Sequence, residues 1–348
     1  MPAPVTELPR RVTIRVQEVA ASPWPVRAAA VGVLVGFGCL VAAMVPVGPD
    51  WLSSTGAILV ATVYSWALAA REGGRPVVFG TLALAVGVTA VWLDHDLVRT
   101  GAAVLTAAVA AVLGVMITVP TKGYWASARE ATVALVVAAV GALASIGFEP
   151  AISVERYEWV ALALALIGVF TVVFRLGAGF HGLGRRGLVV VGIGALVLVV
   201  TLFYAEMLRR YGALGLVDDL LRAVRWSREN LGAFPRPISA ILGVPALVYG
   251  CYLRGRRRQG WWVCAFGVAA TAPTATALGN PAIAVSEALT SIGYGLLVGV
   301  LLGWVLIRVD RLVTGSGRNG NGNGGGRRRV TPASETAPPE PPRTAALL

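Results

Sequence analysis

Residues 101–119 read GAAVLTAAVAAVLGVMITV, nineteen positions without a charge. A helix over this stretch, rising about 1.5 Å per residue, is about 30 Å long, the thickness of a bilayer's hydrocarbon core. Nine further stretches share this character. With the first they lie at 27–47, 52–70, 76–93, 101–119, 131–148, 158–176, 188–207, 238–253, 261–278 and 286–309. The sequence therefore predicts an all-α fold, a polytopic integral membrane bundle of about ten transmembrane helices. Residues 1–26 form a polar lead. The first apolar run exceeds the core of a cleaved signal peptide and is followed by nine others, so it is expected to remain as a span.

Composition agrees. Of 348 residues 56% are hydrophobic and 14% charged, where soluble domains carry about 25% charged residues. A soluble chain this apolar would leave large exposed patches; lipid covers them instead. The net charge of +12 does not point to nucleic acid. The basic residues sit in short clusters flanking apolar runs, as the positive-inside rule expects. All but Lys122 are Arg, the bias of a GC-rich bacterial coding sequence. With the N-terminus placed in the cytoplasm, 22 of the 30 basic residues fall inside and 8 outside. Leaving out one long outer loop and the tail, the score is 15 to 2. The expected location is thus a bacterial cell membrane with both termini cytoplasmic. The tryptophans follow the same boundaries. Trp51, Trp92 and Trp159 lie at outer ones; Trp24, Trp66, Trp125, Trp261, Trp262 and Trp304 lie at or near inner ones, where indole satisfies its N–H among headgroups.

The outer loop 208–237 carries its own helical pattern near 214–231. Val217, Leu220, Leu221, Val224 and Leu231 share one face; Asp218, Arg222, Arg225 and Glu229 share the other. This is an amphipathic helix for the outer membrane surface or a cap on the bundle. Residues 310–348 are expected to form a disordered cytoplasmic tail, because Gly, Asn, Arg and Pro dominate it and apolar residues are too few to offset ordering.

No motif carries chemistry on its own. Gly177, Gly179 and Gly182 spell GxGxxG, but the dinucleotide fingerprint works between a strand and a helix; here it follows a membrane span. Asp94-His95-Asp96 is the best metal-like cluster, but a zinc site needs three or four ligands and the other histidine, His181, is expected on the opposite side, so the cluster reads as a solvated outer loop. Cys39, Cys251 and Cys264 form no C-x-x-C and read as small buried hydrophobes. No catalytic, cofactor-binding or metal-binding residue is assigned, and no cofactor is implied.

Two sets of residues stand out. Gly295, Gly299 and Gly303 share one face of the last span, and Gly32 and Gly36 do so in the first; small residues at this spacing let helix backbones approach. A helix or partner packed on the last span, in the same chain or in a second copy, follows from that face. The second set is a polar vestibule opening outward: Pro245 and Pro273 interrupt the eighth and ninth spans, Thr271, Thr274, Thr276 and Asn280 line the ninth, and Glu206 and Glu287 stand at the mouth. Broken helices of this kind build transporter sites. The bilayer is the expected partner, and nucleic acid is not. A transporter or permease-like protein for a small or lipid-like molecule fits these features first. A non-catalytic membrane subunit or assembly factor of a cell-envelope complex comes second, and an enzyme third.

Overall fold

The computed structural model describes residues 24–45, 48–151, 154–176, 189, 191–201, 203, 214–256, 260–280, 283–315 and 340–347. Within them every regular element is helical and there is no strand. In chain order the helices begin with α1 (Trp24–Met44), α2 (Trp51–Arg71), α3 (Pro76–Leu93), α4 (Asp96–Met116), α5 (Tyr124–Ile146) and α6 (Val154–Arg175). There follow α7 (Val191–Thr201), α8 (Leu214–Leu231) and α9 (Ser239–Arg254), then α10 (Gly260–Gly279) and α11 (Val285–Gly315). Eight of these, α1 to α6 with α10 and α11, are long and apolar enough to cross a membrane. The protein is a helical membrane bundle.

The count of ten needs qualifying by length. The seventh expected span corresponds to α7, described over Val191–Thr201, and the eighth to α9, apolar but shorter than the others. At about 1.5 Å per residue, α9 reaches only about 24 Å. It starts with a π-helical turn, Ser239–Gly243, in which the Val244 N–H donates to the Ser239 carbonyl. Pro245 follows directly. It has no N–H to return to Ile241, and the wider turn absorbs the missing bond. α10 is interrupted too: Gly260–Ala265 and Val268–Ala275 are separate helical pieces, with Pro273 inside the second and a 3-10 turn, Ala277–Gly279, at its end.

The helices run alternately between two ends. One, here the basic end, carries Arg71, Arg175 and Arg254 at helix termini. The opposite end carries Asp94, Asp96 and Glu149. There Arg99 pairs with Asp94 at 2.8 Å and Glu149 at 2.7 Å, pinning the α3–α4 turn to the end of α5. His95 belongs to this turn: its Nδ1 accepts the Leu97 N–H and caps α4.

α10, α9 and α4 are the most deeply buried helices, with α5 packed beside them. Some 89% of the apolar window of α10 is buried, against 11% for α1, 17% for α3 and 22% for α11, which places α10 at the centre and the other three at the lipid boundary. The centre is made close by small residues. Ala103, Ala107, Ala110 and Ala111 of α4 meet Ala131, Ala134 and Ala138 of α5 and Ala270 and Ala272 of α10. A Cβ on Gly243 would come within 2.2 Å of the Ala270 nitrogen, so only glycine lets α9 cross α10 there.

The glycines of α11 and α1 lie against neighbouring helices of the same chain. A Cβ on Gly299 would lie 2.4 Å from Val244 Cβ, and one on Gly303 2.7 Å from Val248 Cγ1; Gly295 faces Ser239. In α1, Gly36 backs onto Gly56 of α2, with Gly32 against Val63. The glycine face of α11 is therefore covered by α9.

α8 occupies the predicted amphipathic stretch. It exposes Leu221, Trp226 and Leu231 and is anchored through its C-terminal end: Tyr294 Oη donates to the Leu231 carbonyl, and Ser227 Oγ to that of Ala233. The side chains of Val217 and Leu220 lie outside the described ones.

Two expectations change. The last helix runs beyond 309 to Gly315, because a helix projecting past the lipid can carry charge: Arg308 covers the Trp304 ring and Arg311 Nε donates to Tyr252 Oη. And residues 340–347, expected to be disordered with the rest of the tail, are seated on the bundle. Their ordering rests on charge and hydrogen bonding rather than on apolar area, which a composition argument does not register.

Candidate functional site: a buried ion cluster at the basic end

Arg71 is the last residue of α2, Arg254 the last of α9, and Glu130 lies in the second turn of α5. α2 and α9 end here and α5 begins here, and each of the three residues is buried: Arg71 is 3%, Arg254 6% and Glu130 0% exposed. A charge withdrawn from water costs several kcal/mol unless it is paired and hydrogen-bonded, so the partners decide how this cluster is held.

Glu130 has a full set. The Val119 N–H donates to its Oε2 at 3.1 Å, Arg129 reaches Oε1 at 3.2 Å, and Arg343 Nη2 lies 2.9 and 2.8 Å from the two oxygens. Arg254 is gripped from the α4–α5 connection, with Nη1 donating to Thr118 Oγ1 at 2.7 Å and Nη2 to the Thr118 carbonyl at 3.0 Å. Its guanidinium lies 3.5 Å over the Trp261 ring and forks onto Glu340 at 2.5 and 3.3 Å. Arg71 donates Nε to the Met116 carbonyl at 3.1 Å, and Nη1 to the carbonyls of Pro342 at 2.8 Å and Ala345 at 2.7 Å. The Arg71 carbonyl in turn accepts the Leu347 N–H at 2.8 Å. Arg71 Nη2 is buried and finds no hydrogen-bond partner among the described residues.

The site is thus a three-charge recess in the bundle, Arg71, Glu130 and Arg254, filled by a C-terminal segment whose Glu340 and Arg343 have the complementary signs. A second polar layer supports it. Thr121 Oγ1 and Ser127 Oγ are 2.5 Å apart, and the Thr121 N–H donates to the Cys251 carbonyl. Cys251 and Cys264 are fully buried on α9 and α10, with Arg254 Nη1 3.9 Å from Cys264 Sγ. Trp261 and Trp262, expected in the interfacial belt, are also inside. Trp261 lies under Arg254 and Trp262 faces Phe170, because α10 is central and has no lipid-facing side. Trp24, Trp51, Trp92 and Trp125 are exposed at helix ends, Trp159 is exposed in the second turn of α6 and Trp304 along α11.

The residues of the outward vestibule are distributed differently. Glu287 lines a cleft of about 150 Å³ at the opposite end, formed with Arg228, Phe234, Arg236 and Ser291. Its carboxylate pairs with Arg228 at 3.1 Å. Arg236 connects this cleft to Pro273, donating to its carbonyl at 2.7 Å, and stands 3.6 Å from Glu158. The threonines do not reach the cleft. Thr274 and Thr276 donate to the carbonyls of Ala270 and Ala272 in their own helix, and Thr271 donates to Ala111 of α4 at 2.9 Å. Pro245 is buried beside the π turn and Asn280 is half-buried at the end of α10. Glu206 and the loop Gly177–Gly182 lie outside the described residues.

Sequence reading passed over the basic-end cluster because it counts arginines at helix ends as headgroup residues. The available signal was Glu130, an acid at the edge of an apolar run in an otherwise basic neighbourhood; ionisable residues inside membrane spans mark sites more often than not. The complementary pair in the tail, Glu340 and Arg343, carries no motif. No family model, no curated protein and no solved structure matches this chain.

Proposed function

We propose that this protein is a transporter or permease-like bundle for a small or lipid-like molecule, set in a bacterial cytoplasmic membrane with its basic end and both termini in the cytoplasm. The observation that carries the reading is the pair of discontinuous helices at the centre. α9 opens on a π turn and α10 breaks at Phe266–Gly267. Irregular backbone at membrane depth persists where protein surrounds it or water lines it, and in carriers it marks the place where the bundle parts and the cargo binds. The ion cluster lies at the basic-end termini of α2 and α9, where buried charge of this kind accompanies solute pathways.

A second reading, a non-catalytic membrane subunit or assembly factor of an envelope complex, is favoured by the alanine packing of α4 against α5 and α10, which leaves the described centre closed. Native Cys264 separates the two. In oriented proteoliposomes of the Cys39→Ser, Cys251→Ala protein, a membrane-impermeant thiol reagent is applied from each side. A carrier that opens exposes Cys264 to one side while the protein remains folded. Absence of labelling until denaturation, together with a stoichiometric partner co-purifying from native membranes, would favour the subunit.

A further inference from the structure

The C-terminal segment is held in the manner of a ligand. Its contacts with the bundle are a carboxylate on Arg254, a guanidinium on Glu130, two peptide carbonyls on Arg71, and one amide N–H on the Arg71 carbonyl. Leu347 adds a single apolar contact with the core. The spacing is that of an extended peptide: the acid at 340, a carbonyl at 342, the base at 343, a second carbonyl at 345 and the N–H at 347. The receptor groups come from three helices, α2, α5 and α9, and the α4–α5 connection holds two of them in place. They remain in the bundle whether or not the tail is present. Without the tail they would be two buried guanidinium groups and one buried carboxylate, each short of a partner. Arg71 Nη2 is still unpartnered among the described residues with the tail in place, so the recess has a donor to spare.

Residues 316–339 join α11 to this segment. Twenty-four residues can extend to about 80 Å, far more than is needed to reach the recess from Gly315 at the same end, and enough for the segment to leave it. We propose that the recess bounded by Arg71, Glu130 and Arg254 is a peptide-binding site. Its ligand is an extended segment bearing a carboxylate and, three residues on, a guanidinium; residues 340–347 are its tethered, displaceable occupant. Seated, they close the basic end. The same chemistry presented by another chain competes for the site. This inference does not depend on what the bundle moves, because its test reads peptide retention and not transport.

The test uses the full chain in lipid nanodiscs, with a protease recognition sequence placed between 316 and 339 and a fluorophore on the C-terminal fragment. After cutting, the wild-type fragment should stay with the bundle through size exclusion. It should be displaced by excess unlabelled synthetic peptide of residues 338–348. A tail with the signs exchanged, Glu340→Arg with Arg343→Glu, keeps composition, net charge and Leu347 and leaves the bundle untouched. Its fragment should dissociate at least about tenfold faster, the equivalent of about 1.4 kcal/mol. Equal retention of the two fragments would show that the charges do not select the segment. Immediate loss of both would show that the recess does not bind it. Retention that free peptide cannot compete would make the segment a fixed part of the fold. Each of these overturns the proposal.

Discussion

Arg254 shows what a single buried charge requires of its surroundings. Six contacts converge on one guanidinium: two from Thr118, two from Glu340, one from Cys264 Sγ, and the Trp261 face. The planar fork suits a carboxylate on one edge and an aromatic ring on its face, which an ammonium would not. Removing one partner of a buried pair leaves the other uncompensated, at about 3–5 kcal/mol, whereas an exposed pair contributes about 0–1 kcal/mol. Two isosteric substitutions should therefore separate. Glu340→Gln strips the charge facing a side chain that is 0% exposed, and should lower thermal stability in detergent by about 3 kcal/mol. Glu287→Gln removes an acid paired with Arg228, which is 54% exposed, and should change stability by less than about 1 kcal/mol. At this scale the sequence was least legible. Arg71 and Arg254 look like any arginine at a helix end, and what distinguishes them is the depth at which α2 and α9 terminate. Glu287 was identifiable as an acid at the mouth of a span, but its neutralisation by Arg228 depends on how α8 returns to the bundle.

At the scale of elements the sequence was more informative, because spacing survives folding. Glycines at intervals of four on α11 do face a neighbouring helix, and that neighbour is α9. Gly299→Leu would drive a side chain into Val244 and should cost several times the about 1 kcal/mol or less expected for Val298→Leu, whose side chain is 40% exposed. Comparing thermal midpoints of the two variants checks this; equal midpoints would mean that the α9–α11 contact does not hold. The threonines of α10 divide the same way. Thr271 bonds across to α4, whereas Thr274 bonds within its own helix. Interhelical bonds in membranes contribute about 0.6–1.7 kcal/mol, so Thr271→Val should destabilise by about 1 kcal/mol, with Thr274→Val near zero. Span length was the feature read less well. Hydropathy gave ten stretches, but α9 is shorter than the spans around it. In α9 the π turn and Pro245 change the rise in a way that apolar counts do not record.

For the whole molecule, alternating helices with basic residues gathered at one end were legible from composition and spacing, since the bilayer enforces both. The order of helices in space was not. Nothing in the letters says that the ninth stretch is central while the first, third and last face lipid; that ordering comes from alanine and glycine contacts spread over α4, α5 and α10. The seating of the tail was hidden most deeply, because eight residues with only three polar side chains among them, at the far end of a Gly- and Arg-rich stretch, gain their order from three charges on three different helices. The direct measurement is photo-crosslinking from position 347 in the intact protein in its own membrane. A photoreactive phenylalanine there should form adducts with residues adjoining Arg71 at the end of α2 and with the core beside it, and Glu340→Arg with Arg343→Glu should abolish them. Adducts confined to lipid, or an adduct pattern unchanged by the exchange of signs, would contradict a tail held in the ion cluster.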